Sequence, residues 1–120
     1  MRLDISENRV TANGMARLLA ALGGKHTLRS LDLGGNEHIG TGLTSSQECA
    51  QEVASSLGQV GLQDLHLWRC GLGDAACALV VDAKPPRLKL LNLAANPLSA
   101  ALKSKLLRSP LCGPSGYIRM

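Results

Sequence analysis

Three side chains in the middle of the chain are of types that bind metal ions. His66, Cys70 and Cys77 are separated by three and six residues. Structural zinc sites usually contain a paired Cys-x2-Cys element, which this stretch lacks. The two cysteines also occupy positions that the surrounding hydrophobic pattern assigns to the core. We therefore predict no metal site and no cofactor.

Enzyme chemistry has little support in the rest of the chain. Nucleophilic catalysis needs a base oriented on a nucleophile, and the linear pattern contains no such set. The glycine pair at 34–35 belongs to a repeated turn and does not match a phosphate-binding loop. We therefore expect a protein that is not an enzyme.

The stretch around Trp68 favours recognition of another protein. Trp68, the single tryptophan, occupies a strand position that alternation assigns to solvent. Tryptophan and arginine are enriched in binding hot spots, and Arg69 follows directly. Small residues at 34–35 and 94–95 would leave the indole prominent. The alternative is that Trp68 lies flat over neighbouring strands or contacts the C-terminal segment.

The predicted contact surface consists of side chains that point outward from successive strands. They are charged, polar or aromatic, and in a curved stack they would align on one face. The basic residues that follow Asp82 are not interleaved with a set of aromatic residues, so nucleic acid is not an expected partner. We expect a protein partner of unknown identity. The predicted protein-binding residues are Asp32, Asp64, His66, Trp68, Arg69 and Asn92.

A nine-residue pattern positions these side chains. Residues 28–36, 62–70 and 88–96 carry apolar residues at the first, fourth and sixth places and Asn or Cys at the ninth. Residues 2–8 form the tail of another copy. The fourth-place leucines are spaced 28, 34 and 26 residues apart, which is typical of a strand, turn and helix repeated along the chain. The ninth-place side chains should satisfy backbone amides at the turns. They are Asn8, Asn36, Cys70 and Asn96.

Helical spacing of apolar residues predicts a helix in each unit. The helices are expected at 13–22, after a capping signal at 44–47, at about 74–83, and at 100–107. Residues 37–46 are interpreted as an insertion that lengthens the second unit. The predicted inward residues are Met15, Leu18, Leu19, Leu22, Cys49, Val53, Leu57, Cys77, Val81, Leu102, Leu106 and Leu107.

These units resemble the ribonuclease-inhibitor-like class of leucine-rich repeats, which also occur in NOD-like receptors and Ran GTPase-activating proteins. The resemblance covers residues 2 to about 109. It implies an α/β leucine-rich-repeat solenoid, a short horseshoe arc of about four repeats. Parallel strands would line the concave face and helices the convex face. The expected domain is 1–110, with repeats at about 1–27, 28–61, 62–87 and 88–110, followed by an irregular tail at 111–120.

The function that the resemblance implies is a non-catalytic protein–protein interaction module that binds through the concave face. Two alternatives stay open. The chain could be the regulatory arm of a GTPase-activating or NOD-like receptor-type protein, or a structural segment of a longer array. The pattern begins inside a repeat without a cap, which favours a longer array or self-association through uncapped ends.

The composition of the chain agrees with a stack of similar repeat units. The chain is 45% hydrophobic but 2% aromatic, and it contains no phenylalanine. Its net charge is +4, and every charged residue after Asp82 is Lys or Arg, which we interpret as a solvated helix face and a basic tail. No signal peptide or membrane-length apolar segment is present, so the four cysteines favour a reduced, cytoplasmic protein with free thiols.

Overall fold

The computed structural model describes residues 2–22, 28–109 and 116–120. Strands and helices alternate along them, except that two helices follow the second strand. The elements are β1 (Arg2–Asp4), α1 (Ala12–Leu22), β2 (Ser30–Asp32), α2 (His38–Ser45), α3 (Gln47–Leu57), β3 (Asp64–His66), α4 (Asp74–Asp82), β4 (Leu90–Asn92), α5 (Ala100–Leu107) and β5 (Ile118–Arg119). The strands form one parallel sheet in chain order. The predicted α/β class is confirmed, and the sheet fits a repeat fold.

Equivalent places of the nine-residue pattern are in register across the sheet. Leu3 pairs with Leu31, Leu31 with Leu65, Leu65 with Leu91, and Leu91 with Ile118. The last four of these side chains are fully buried. The residues between them point to the opposite face, because side chains alternate along a strand. The strand positions predicted from the pattern are therefore confirmed.

The predicted irregular tail is wrong for Ile118–Arg119, which form β5. The amide of Leu91 donates to the carbonyl of Tyr117 at 2.7 Å, and the amide of Leu93 donates to the carbonyl of Arg119 at 2.7 Å. The backbone groups on the open side of β4 need hydrogen-bond partners, and β5 supplies them. The sequence did not predict β5 because a strand of two residues is too short to show a hydrophobic period. Residues 111–115 of the predicted tail lie outside the described residues.

The stretch interpreted as an insertion contains a helix, α2, that the sequence pattern did not predict. Its glycines disfavour a helix in isolation. In the structure they permit close packing: a Cβ at Gly40 would overlap the carbonyl of Gly71, and one at Gly42 would lie 2.6 Å from the Cβ of Ala12. Tertiary contact therefore outweighs helix propensity here.

The other helices lie where the pattern predicts them, within a residue or two. The side chain of Ser46 caps α3 by accepting from the amide of Cys49 at 3.2 Å. One inward assignment is wrong, because Leu107 is 63% exposed. Adjacent residues of a helix point about 100° apart, so burial of Leu106 turns Leu107 away from the core.

The ninth-place residues bond to backbone groups of the turns, and the prediction that they satisfy backbone amides is confirmed for Asn36 and Asn96. The carboxamide oxygen of Asn36 accepts from the amide of Val10 at 3.0 Å, and its nitrogen donates to the carbonyl of Leu33 at 2.7 Å. The Cys70 thiol donates to the same Leu33 carbonyl at 3.1 Å. Asn8 bonds to carbonyls of its own turn and is exposed. Asn36 and Cys70 therefore link successive units through backbone groups, whereas the bonds of Asn8 stay within its own unit.

No helix in the described part of the chain is both long and apolar enough to cross a lipid bilayer. Cys49, Cys70 and Cys77 carry free thiols, and Cys112 lies outside the described residues.

Candidate protein-binding surface

The outward residues of the strands form rows across the sheet. Asp32, His66 and Asn92 are register partners on β2, β3 and β4, so the structure brings these three predicted residues together. Neighbouring strands are about 4.8 Å apart. Asp64 belongs to the adjacent row, between Ser30 and Leu90. The sheet therefore aligns four of the six predicted residues, and the turn after β3 carries Trp68 and Arg69.

Trp68 lies against β2 and its turn rather than standing free. A Cβ at Gly34 would overlap the indole, so the ring occupies the space that glycine leaves. The indole Nε1 donates to Asp32 Oδ1 at 3.1 Å. Trp68 is half-buried as a result. Of the two sequence interpretations, the structure supports the one in which Trp68 lies over a neighbouring strand.

Asp32 supports Trp68 from below. It is 7% exposed, and its Oδ1 also accepts from the amide of Gly34 at 2.9 Å. Its other carboxylate oxygen lies 3.8 Å from the guanidinium of Arg2. A buried carboxylate is costly unless hydrogen bonds or cations compensate it, and these three contacts do so. Asp32 therefore holds the indole in place and exposes little surface of its own.

Arg69 extends across the turns of the two preceding units. Its guanidinium lies 3.7 Å from Glu7 Oε1 and 3.8 Å from Glu37 Oε1, and its Cζ is 5.7 Å from the centre of the Trp68 ring. The side chain is 51% exposed. Exposed ion pairs contribute little stability each, but together with the cation–π contact they restrict where the guanidinium can lie.

The backbone at the eighth place of every unit is left-handed, which sequence reasoning missed. The φ angles are 55° at Glu7, 75° at Gly35, 47° at Arg69 and 60° at Ala95. A residue with a side chain pays about 1 kcal/mol or more for this conformation. The sequence signal that could have indicated this conformation is Gly35, the glycine at the eighth place of one copy. The shared turn places Arg69 beside Gly35, where the missing Cβ leaves room for its guanidinium.

Fifth-place side chains cap the turns that follow them. The amides of Ser6, Gly34 and Ala94 donate to Asp4, Asp32 and Asn92, respectively, at 2.9 to 3.1 Å. The hydrogen bonds from the side chain and backbone of Ser6 lower the pKa of Asp4. The outward face is therefore partly structural, and its polar groups are fixed in position.

His66 and Asn92 contact each other within this row. Asn92 Nδ2 lies 3.4 Å from His66 Nδ1, which accepts a hydrogen bond when the proton is on Nε2. Both residues are half-buried, so each leaves part of its side chain to solvent. They extend the polar surface beside Trp68.

The residues that the structure describes contain no cluster of metal-ligating side chains. No three His, Cys, Asp or Glu side chains among them are close enough to hold an ion. Burial raises the pKa of Cys70 to about 11, and burial together with the carboxylates of Asp74 and Asp82 does the same for Cys77. A protonated, buried thiol is a poor ligand and a poor nucleophile.

One comparison with known proteins identifies the repeat. A family model described as Leucine Rich repeat matches residues 24–42, which include β2, its turn and part of α2. This match supports a leucine-rich repeat protein. Leucine-rich repeats generally mediate protein–protein interaction and are generally not enzymes. No curated protein matches the chain.

Proposed function

We propose that this leucine-rich repeat protein is a non-catalytic module that binds a protein partner through the Trp68 surface. This surface is defined as Asp64, His66, Trp68, Arg69 and Asn92, with Asp32 beneath the indole. The observation that supports it best is the fixed, half-exposed indole, held by Gly34 and Asp32 with Arg69 beside it.

Preorganisation is the physical reason why this surface suits recognition. A side chain that is already ordered loses little conformational entropy when a partner binds. Trp68 is positioned by a hydrogen bond and by the absence of a side chain at residue 34, and Arg69 by two carboxylates. Both are residue types enriched in hot spots. The pair combines the apolar area of the indole with a guanidinium that is about half exposed.

The proposal extends to the shape of the molecule. A domain of about four repeats over 1–110, in the ribonuclease-inhibitor-like class, would place the Trp68 surface on the concave side of a short arc. The parallel sheet in chain order agrees with such a stack. Three free thiols agree with a reducing compartment such as the cytoplasm.

The test compares the wild type with a double variant, Arg69→Asn with His66→Ala. Asparagine removes the charge of Arg69 yet tolerates its positive φ. The matched control is Arg17→Asn with Arg9→Ala, at exposed sites of the first unit. Chemical crosslinking with mass spectrometry first identifies captured proteins, and titration with the purified partner follows. The surface variant should bind at least about tenfold more weakly, since hot-spot truncations cost more than 1 kcal/mol each.

Equal affinity of the wild type and the surface variant would contradict the proposal, provided that circular dichroism shows both to be folded. Loss of affinity in the control variant instead would place the contact on the first unit.

A second candidate function, a structural segment of a longer array, is supported by the edges of the sheet. In the described residues β1 pairs with β2 alone and β5 with β4 alone, so each edge offers backbone groups to a further strand. Sedimentation analysis distinguishes the two. A monomer that unfolds in one sharp transition would contradict the structural role, whereas concentration-dependent association would support it.

A further inference from the structure

The helix α5 is covered less than its predecessors. Leu106 is its buried residue and Leu102 is half-buried, while Leu107 is 63% exposed. By comparison, α4 buries Cys77, Val80 and Val81. The side of the molecule around α5 therefore offers apolar surface that the described part of the chain does not cover.

A groove separates α5 from α4. Its floor is apolar and includes Cys77, Val81, Leu102 and Leu106, and Lys105 lies at its rim. Cys77 and Val81 are buried beneath it, so the groove is a depression between two helices. Apolar side chains of a binding segment can enter a depression of this kind, as in other complexes in which a helix occupies a groove.

Basic residues outnumber acidic ones in the part of the chain that forms this groove, which is itself lined by Lys105 and Asp82. The ends of both helices line it, since Asp82 and Ser109 are among its residues, so the helices run in the same direction. Lys84 follows the end of α4, and Arg108 is the C-cap of α5. From residue 74 to residue 109 the exposed acidic residues are Asp74, which bonds to Ser99 at the start of α5, and Asp82. The exposed basic residues of the same range are Lys84, Arg87, Lys89, Lys103, Lys105 and Arg108.

We propose that the α5 surface, defined as the α4–α5 groove with Lys84, Lys105 and Arg108, binds an acidic protein segment that has apolar side chains on one face. Charge complementarity selects the acidic partner, and the apolar floor selects a segment that also carries leucine-like side chains. A groove favours inserted side chains, whereas the flat surface of an anionic bilayer would contact protruding ones. This surface is separate from the Trp68 surface and does not depend on the function proposed above.

The test uses the full chain and a fluorescein-labelled peptide of repeated Glu-Leu-Leu-Glu units, with binding followed by fluorescence anisotropy. A second peptide, in which glutamine replaces the leucines, tests the apolar contribution. The protein variant is Lys105→Glu with Arg108→Glu, and the matched control is Arg9→Glu with Arg17→Glu. All four positions are exposed, so we expect both variants to fold. Circular dichroism checks this, and the milder Lys105→Gln replaces the double variant if it is unfolded.

The wild type should bind the leucine-containing peptide, and the α5 variant should bind it roughly tenfold more weakly, because two exposed charge contacts are reversed. Higher salt should weaken binding. The control variant and Arg69→Asn should bind like the wild type. Absence of binding, equal losses in both double variants, equal affinity for the glutamine peptide, or a preference for phosphatidylserine vesicles would each overturn the proposal.

Discussion

Replacement of Asn96 by alanine tests whether the ninth-place side chains hold the stack together. The carboxamide oxygen of Asn96 accepts from the amides of Cys70 at 2.9 Å and Leu72 at 3.0 Å. Its nitrogen donates to the carbonyls of Leu67 and Leu93, each at 2.9 Å. Asn96 is 7% exposed, and Cys70 and Leu72 are fully buried. The substitution therefore leaves two buried amide donors without acceptors.

The cost follows from those two amides. A buried donor that loses its partner costs about 1–3 kcal/mol, so Asn96→Ala should lower the free energy of unfolding by about 2–6 kcal/mol. That is a large share of the roughly 5–15 kcal/mol that stabilises a typical domain. With a urea dependence of about 2 kcal/mol/M, a loss near the middle of this range moves the midpoint down by about 2 M.

Asn8→Ala is the matched control, because Asn8 occupies the same place in the first unit but is exposed. Among the described residues, its nitrogen donates within its own turn, to the carbonyls of Ile5 at 3.0 Å and Ser6 at 3.1 Å. Its loss should cost less than about 1 kcal/mol. Urea unfolding is followed by circular dichroism and by the fluorescence of Trp68, the single tryptophan. Equal midpoints for the two variants would refute the reasoning, since solvent or relaxed turns would then satisfy the Cys70 and Leu72 amides.

Two further predictions follow from the packing and the buried thiols. Gly34→Ala should displace the Trp68 indole, lower the free energy of unfolding by about 1–3 kcal/mol and shift Trp68 emission to longer wavelength. The control is Gly73→Ala, because a Cβ at Gly73 meets nothing within 4 Å. An unchanged emission spectrum for Gly34→Ala would contradict the position of the indole. Burial raises the pKa of Cys70 and Cys77 from 9.0 to about 11 on folding, so an unfolded thiol ionises before a folded one. Stability should therefore be highest below about pH 9 and fall as the pH approaches about 11. Urea midpoints measured over this range should fall less steeply for Cys77→Ala, and an identical slope would count against the pKa shift of Cys77.

The strands could be predicted because their information is local. Leucine or isoleucine at the fourth and sixth places, repeated in four copies, specifies which face of each strand is buried, and a one-residue shift would expose every one of these side chains. The register pairs Leu31–Leu65 and Leu65–Leu91 confirm this. By contrast, the two residues of β5 contain too little pattern, and their pairing follows from the unpaired edge of β4.

The helix α2 could not be predicted, because its stability does not come from its own residues. Gly40 and Gly42 are poor helix formers, and their value appears only when Gly71 and Ala12 lie next to them. The same limit applies to Leu107. Its helical spacing suggested burial, but whether it is covered depends on which elements pack beside α5.

The predicted contact residues divide in a way that the sequence could not show. Alternation correctly placed Asp32, His66, Trp68 and Asn92 away from the leucine core. It could not distinguish a side chain that faces solvent from one that supports its neighbour. The Nε1–Asp32 distance of 3.1 Å and the close approach of Trp68 to Gly34 make that distinction, with Asp32 as support and Trp68 as the half-exposed group. Their role in binding a partner stays a prediction.

The sequence by itself determined the repeat, the strand faces, most helix positions and the role of Asn36 and Asn96, because each depends on spacing along a short segment. Tertiary structure alone decided where Trp68 lies, that α2 is helical and that β5 closes on β4. These outcomes depend on contacts between residues at least 26 positions apart, such as Asp32 with Trp68, Gly40 with Gly71 and Leu91 with Tyr117. Whether two such residues meet depends on how successive units stack, and no local period encodes that distance.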